Sequence, residues 1–180
     1  MTRNIQTVPY GYVPPIEKRK GTLMFYDSFE HTTDDELGAA FQTTMKHSFT
    51  KLVLYPLHEE TLRRMSPQDE VSALYKREER LNLWTSGLDH SVVVMEGWES
   101  KRKKYTPIES ALRHLTHKYP GPHFLYLTPE MANIFASFTA FEEWIVKIRL
   151  IISSEPAAMH PKLEKYHHRW KTIHSMDTGE

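Results

Sequence analysis

From Gly21 onward the chain alternates short apolar runs with longer amphipathic ones. Thr22-Leu23-Met24-Phe25-Tyr26-Asp27-Ser28-Phe29 is β-rich and mostly apolar, the pattern of a strand covered on both faces. Thr32 and Thr33 stand three residues ahead of Asp35 and Glu36, offering capping boxes that start a helix running to about His47. Lys51 to Tyr55, closed by Pro56, reads as a second strand, and the crossover between the two is expected to be right-handed and parallel. Ser66-Pro67-Gln68-Asp69 reads as the next helix start, with the hydroxyl as cap and proline in the first turn. That helix continues through Leu74, Leu81 and Trp84 to a stop at Gly87. His90 to Met95 forms a third strand, Gly97 to Lys104 a charged loop, and Thr106-Pro107-Ile108-Glu109 opens a helix ending at Lys118-Tyr119-Pro120-Gly121. His123 to Leu127 makes a fourth strand, one or two short helices follow Thr128-Pro129 to about Val146, and Ile148 to Ser153 makes the fifth. Alternating strands and helices predict an α/β, doubly wound, parallel five-stranded sheet in three layers. Residues 1–20, with Pro9, Pro14 and Pro15, read as a polar arm in which proline disfavours helix, and residues 21–180 as one domain.

Composition narrows the function classes. Of the 180 residues, 39% are apolar, 12% aromatic and 26% charged, with 23 basic against 23 acidic side chains. Such a chain folds rather than staying disordered. It lacks the cationic excess that would draw the protein as a whole onto nucleic acid or an anionic membrane. The absence of cysteine excludes disulfides, a Cys nucleophile and thiolate metal sites; a cytoplasmic, metal-independent protein is expected. The first twenty residues have no uninterrupted apolar segment of the signal-peptide kind. Trp144 to Ile152, the most apolar stretch, is broken by Lys147 and Arg149 and falls far short of the ~20 residues of a transmembrane helix.

In a doubly wound sheet, ligands sit beyond the carboxyl ends of the strands at a topological switch point, so the turn after the first strand is the place to seek a site. A phosphate site there calls for glycine, because the backbone must approach the anion closely and present its amides. No glycine lies between Gly21 and Gly38, and the absence of both GxGxxG and GxxxxGK[ST] rules out a dinucleotide fingerprint and a P-loop. Asp27, Glu30, Asp34, Asp35 and Glu36 crowd the turn instead. On the simplest reading Asp34 to Glu36 complement the helix dipole, each by about 0.3–1 kcal/mol, and Asp27 is solvated; acids in this position also repel a triphosphate.

Weaker features lie elsewhere. His114 and His117 are three apart on one helical face and have zinc-ligand chemistry, but a polar helix face accounts for them more simply. Lys101 to Lys104 offer charge to a phosphate or nucleic acid, against the simpler reading of a solvated loop. His31-x-Thr33 and His114-x-Thr116 resemble the paired HxT motifs of two-histidine phosphoesterases, yet those lie on strands and His114 falls on a helix. Trp84, Phe135, Phe138, Phe141 and Trp144 read as core, with Phe138 and Trp98 flanking the expected ligand edge.

Asp27-Ser28-Phe29-Glu30-His31-Thr32-Thr33-Asp34-Asp35-Glu36-Leu37, following an apolar strand, resembles the GSFDPxHxGHL signature of the HIGH-motif nucleotidylyltransferases. Later segments extend the likeness to the bacterial nicotinate mononucleotide adenylyltransferases. Arg77-Glu78-Glu79-Arg80-Leu81 resembles their helix before the third strand, and Lys104-Tyr105-Thr106-Pro107-Ile108-Glu109-Ser110-Ala111-Leu112 their SYTIDTL segment. Phe124-Leu125-Tyr126-Leu127-Thr128-Pro129-Glu130 occupies the place of their FxFIIGAD strand, and Phe138 to Trp144, with Glu142 and Glu143, that of a tryptophan followed by acids. The likeness covers residues 20 to 153 and implies the strand order 3-2-1-4-5.

The resemblance also implies a chemistry. Members of that family hold the ATP phosphates with two histidines and a basic residue of an ISSTxxR motif while a second nucleotide's phosphate attacks, so catalysis is positioning and charge stabilisation. Here Thr33 and Glu36 stand at the two histidine positions and Asp35 at the intervening glycine, while Ile151-Ile152-Ser153-Ser154 is followed by Glu155-Pro156 rather than a serine–threonine–arginine run. The expectation is a non-catalytic derivative, nucleotide-sensing or partner-binding, with no required cofactor. Its ligand would be a pyridine or adenine nucleotide held by Ser28, Phe29, Lys104, Tyr105, Thr106 and Phe138. Two alternatives stand beside it. An active adenylyltransferase of NAD biosynthesis would use ATP and Mg2+ with His31, two positions early, or Lys101 to Lys104 on the phosphates. A purely structural protein would engage a protein partner or a second copy of itself. Membrane association and nucleic acid are not expected.

Overall fold

The computed structural model describes residues 20–179; the expected arm, residues 1–20, lies outside them except for Lys20, which opens the first strand. Six strands form one sheet, all neighbours parallel: β1 (Lys20–Asp27), β2 (Phe49–Pro56), β3 (Val93–Met95), β4 (His123–Leu127), β5 (Arg149–Ile152) and β6 (Trp170–Thr172), in the order 3-2-1-4-5-6. The helices are α1 (Asp34–Lys46), α2 (Glu59–Met65), α3 (Leu74–Thr85), α4 (Trp98–Arg102), α5 (Ile108–Lys118), α6 (Pro129–Ala136), α7 (Phe141–Ile145), α8 (Pro161–Lys165) and α9 (Ile173–Thr178). None of them is long and apolar enough to cross a membrane.

Successive strand residues point to opposite faces, and two apolar clusters collect them. Met24, Tyr26, Val53, Tyr55, Leu125, Leu127, Leu150 and Ile152 join buried residues of α5, α6 and α7 such as Leu112, Phe135 and Trp144. Leu23, Phe25, Leu52, Leu54, Tyr126 and Ile151 join Leu37 and Ala40 of α1 and Leu81 of α3. The near-continuous apolar run of β1 has this cause: both of its faces are inside.

Three sequence expectations change. The sheet has six strands, not five, because Trp170-Lys171-Thr172 pairs with Leu150-Ile151-Ile152; three residues carry no readable period. Ser66 does not start a helix. It ends α2, an element the sequence reading passed over, and its amide donates to Leu62 O at 2.7 Å. A proline just past a helix end is as favourable as one in a first turn, so Ser66-Pro67 fits either role, and α3 begins only at Leu74. The Gly97–Lys104 loop contains the short helix α4, closed by Lys103 in a left-handed conformation, φ 57°. Gly21 is required by packing: a Cβ there would lie 2.1 Å from Pro122 O. Thr22 uses the same approach, donating its amide to Pro122 O at 3.0 Å and its hydroxyl to Pro120 O at 2.7 Å.

Candidate functional site

The strand order turns about β1: β2 lies on one side of it and β4 on the other. Above the carboxyl ends of β1 and β4 opens a cavity of about 520 Å³, lined by the turn after β1, α1, α2, residues 66–71 and the start of α6. That volume lies within the range of small-molecule sites. The position agrees with the crevice rule for open parallel sheets.

Buried groups build the turn. Asp27 is not solvated as the sequence suggested: at 8% exposed it is enclosed by the turn it organises, accepting from the Phe29 amide at 2.9 Å and the Thr32 hydroxyl at 3.1 Å. Burial pushes its carboxyl above the usual range, although these hydrogen bonds pull the other way. Phe29 takes φ 61°, a strained conformation for a bulky residue. Its ring packs 4.8 Å from Phe25 inside the second apolar cluster, and its carbonyl accepts from Arg80 Nη1 at 2.8 Å. Arg77, 3% exposed, donates to the carbonyls of Ser72 (3.0 Å), Ser28 (2.8 Å) and Leu57 (2.6 Å) and reaches Glu59 at 3.4 Å. Glu30 accepts from the Ser72 amide and hydroxyl at 2.8 and 2.9 Å. Its desolvation is outweighed by these bonds and by Arg77, so its carboxyl titrates below the ordinary range. The two arginines of α3 are therefore the clamp on this turn.

At the helix start, Thr33 and Glu36 serve each other. The Glu36 amide donates to Thr33 Oγ1 at 3.1 Å and the Thr33 amide to Glu36 Oε1 at 2.8 Å, a complete capping box. The helix-start reading of these residues thus describes their geometry, while Thr32, the other proposed cap, binds Asp27 instead.

Asp27, Glu30, Glu36, Asp69, Glu70 and Glu130 all line the cavity, His31 faces it, and among the described residues no lysine or arginine lines it. A neighbouring space of about 300 Å³ shares Thr32, Glu36 and Thr128 and reaches Ser153 and Ser154; among the described residues its charged lining is Asp35 and Glu36. Polyphosphate would meet negative potential in both, and with a few carboxylates at a partly enclosed site each contact costs rather than stabilises. Among the described residues no group of three metal-ligating side chains gathers.

The sequence-predicted residues separate into three places. Ser28, His31 and Glu36 line the main cavity, with Thr33 beside them on the exposed helix start. Phe29 is core. Thr106 is fully buried: its amide donates to Thr61 Oγ1 at 3.0 Å and its hydroxyl accepts from Arg102 Nε at 2.9 Å. Tyr105 lies beneath Arg64, whose Cζ is 4.2 Å from the ring centroid, and Lys104 is exposed beside it. Phe138 packs half-buried against the first apolar cluster. Neither cavity includes Lys104, Tyr105, Thr106 or Phe138.

Sequence reasoning passed over two features of this end of the sheet. Asp69 and Glu70 reach the cavity because residues 66–73 loop rather than form helix. Glu99, 1% exposed, knots β2, α2 and α4 by accepting from Tyr55 Oη (2.7 Å), the His58 amide (2.7 Å) and Thr61 Oγ1 (2.9 Å). Burial pushes its carboxyl upward, against those bonds. A lone glutamate in a charged loop gives no advance sign of such a role. No protein-family model matches this chain, and no curated protein matches its sequence.

Proposed function

We propose that this chain is a nucleotidylyltransferase-like, doubly wound protein that does not transfer adenylyl groups and senses a small pyridine or adenine compound lacking a polyphosphate. The observation that carries the reading is the lining of the main cavity: among the described residues it has six carboxylates and one histidine, without lysine or arginine. The positions at which the resemblance expects two phosphate-binding histidines are occupied by Thr33 and Glu36, bound to one another. Of the groups that an active enzyme would turn on the phosphates, Lys101 to Lys104 line neither space at the carboxyl end of the sheet, and His31 faces the main cavity among six carboxylates.

The test pairs turnover with binding. Incubation with ATP, magnesium and nicotinate mononucleotide should release no pyrophosphate, whereas an ordinary enzyme turns over about 10 times per second. In thermal-shift titrations, adenosine or nicotinamide riboside should stabilise the protein and ATP should not. The variant Thr33→His/Asp35→Gly/Glu36→His should gain calorimetric affinity for ATP, since it removes two acids and adds two imidazoles able to carry positive charge. Turnover by the unaltered chain, or tighter binding of ATP than of adenosine, would refute the proposal.

A further inference from the structure

On the far side of α5 from the sheet core lies a second concavity, of about 670 Å³, whose lining shares no residue with the cavity at the carboxyl end of the sheet. Trp98, Arg102, Arg113, His114, His117 and Lys118 line it, and among the described residues no carboxylate does. The side chains are held in place. Trp98 and His114 stack with centroids 4.1 Å apart and planes 4° apart, and Arg102 lies over the Trp98 ring at 5.0 Å. Beneath them Glu96, 4% exposed, accepts from Tyr119 Oη at 2.7 Å and pairs with Lys118 Nζ at 2.9 Å and His114 Nε2 at 3.2 Å. Despite its burial, these partners hold the Glu96 carboxyl below the ordinary range, so it stays charged and offsets part of the positive field. Arg113 is tethered to Glu109 at 3.3 Å. Of the run Lys101-Arg102-Lys103-Lys104, Arg102 lines the groove and the three lysines that flank it in sequence are exposed.

A chain that is neutral overall thus concentrates charge locally. Residues 96–118 hold six lysines and arginines against three glutamates, and one of the three, Glu99, is turned into the knot with Tyr55 and Thr61.

We infer that this groove between α4 and α5 binds the phosphodiester backbone of a nucleic acid, by charge and without reading bases. Several fixed cations along an open groove suit a chain of phosphates, which releases counterions on contact. Trp98 carries His114 on one side and Arg102 near its ring, so it offers no free stacking platform of the kind single-strand binders use. An anionic bilayer fits less well, since the exposed large apolar residues Met45, Tyr75, Leu83 and Val146 lie on other elements and nothing on this face would insert.

The experiment is fluorescence anisotropy of the unaltered protein with a labelled uridine oligomer and, separately, a DNA duplex, with phosphatidylserine vesicles as a third arm. Binding with a Kd of about 10⁻⁶–10⁻⁴ M is expected, weakening steeply between about 50 and 200 mM salt, with a log–log slope of about −3 to −4 for four to six neutralised phosphates on a single strand. Lys101→Glu/Lys104→Glu, at exposed positions, should weaken binding at least tenfold, and Arg113→Gln should make the slope shallower by about 0.7. Lys171→Glu on β6, exposed and at the opposite edge of the sheet from β3, should leave it within about threefold, because a distant exposed charge is screened. The tighter of the two nucleic acid arms identifies the backbone preferred. No binding of either at about 50 mM salt, unchanged binding by both groove variants, or association with vesicles alone would overturn the inference.

Discussion

Replacing Arg77 by alanine is expected to be among the most destabilising single changes in this chain. The guanidinium is almost wholly buried and ends on three carbonyl oxygens at 2.6–3.0 Å, with carboxylates of Glu59 at 3.4 Å and Glu30 at 3.7 Å. A hydrogen bond to a charged group is worth about 1.5–3 kcal/mol, and bonds that share one donor group do not add fully. Removing one partner of a buried pair costs about 3–5 kcal/mol because the other is left uncompensated. A loss of about 4 kcal/mol is therefore expected, a large share of the 5–15 kcal/mol typical of a folded domain. With a urea dependence of about 2 kcal/mol per molar, the unfolding midpoint should fall by about 2 M. Arg77→Lys should recover only part of this, because one ammonium cannot satisfy the separated Ser28, Leu57 and Ser72 carbonyls through a planar fork. Urea titrations followed by circular dichroism and tryptophan fluorescence measure both variants. A loss below about 1 kcal/mol for Arg77→Ala, the size of an ordinary surface effect, would refute the view that α3 clamps the turn after β1.

Asp27→Asn should leave the turn intact, since the single amide oxygen can take the place of Oδ2, which accepts from both Phe29 and Thr32, and its effect should depend on pH. Burial raises the folded-state pKa of Asp27, so the native state binds the extra proton and the unaltered protein loses stability as pH rises from the unfolded value near 3.9 through the raised one. The asparagine variant should gain on the unaltered protein across that window in melts at stepped pH, and a pH-independent difference would contradict the assignment. Gly21→Ala should destabilise by about 1–3 kcal/mol, the usual cost of overpacking, because its methyl would meet backbone at Pro122 rather than a movable side chain; an unchanged melting temperature would contradict that close approach.

Local and repetitive information was legible along the chain. Apolar runs bounded by proline and glycine marked β1, β2 and β4, because a strand buried on both faces needs apolar residues at successive positions. The Thr33–Glu36 capping box is written in four consecutive residues and closes within them. The expectation of a crevice at the end of β1, where the cavity opens, followed from parallel topology alone. What tertiary structure decided depends on residues far apart in sequence. The ambiguity of Ser66-Pro67 is resolved by what α2 packs on, and the loop that follows carries Asp69 and Glu70 into the cavity. Phe29 and Thr106 have the chemistry of ligand contacts, yet the first is drawn into the core beside Phe25 and the second is used by Thr61 and Arg102. β6 is three residues long, and a strand that short exists only because β5 presents an edge for it to pair with. The periodicity of a chain records which residues leave water; which partner each one meets is settled by the packing of the whole.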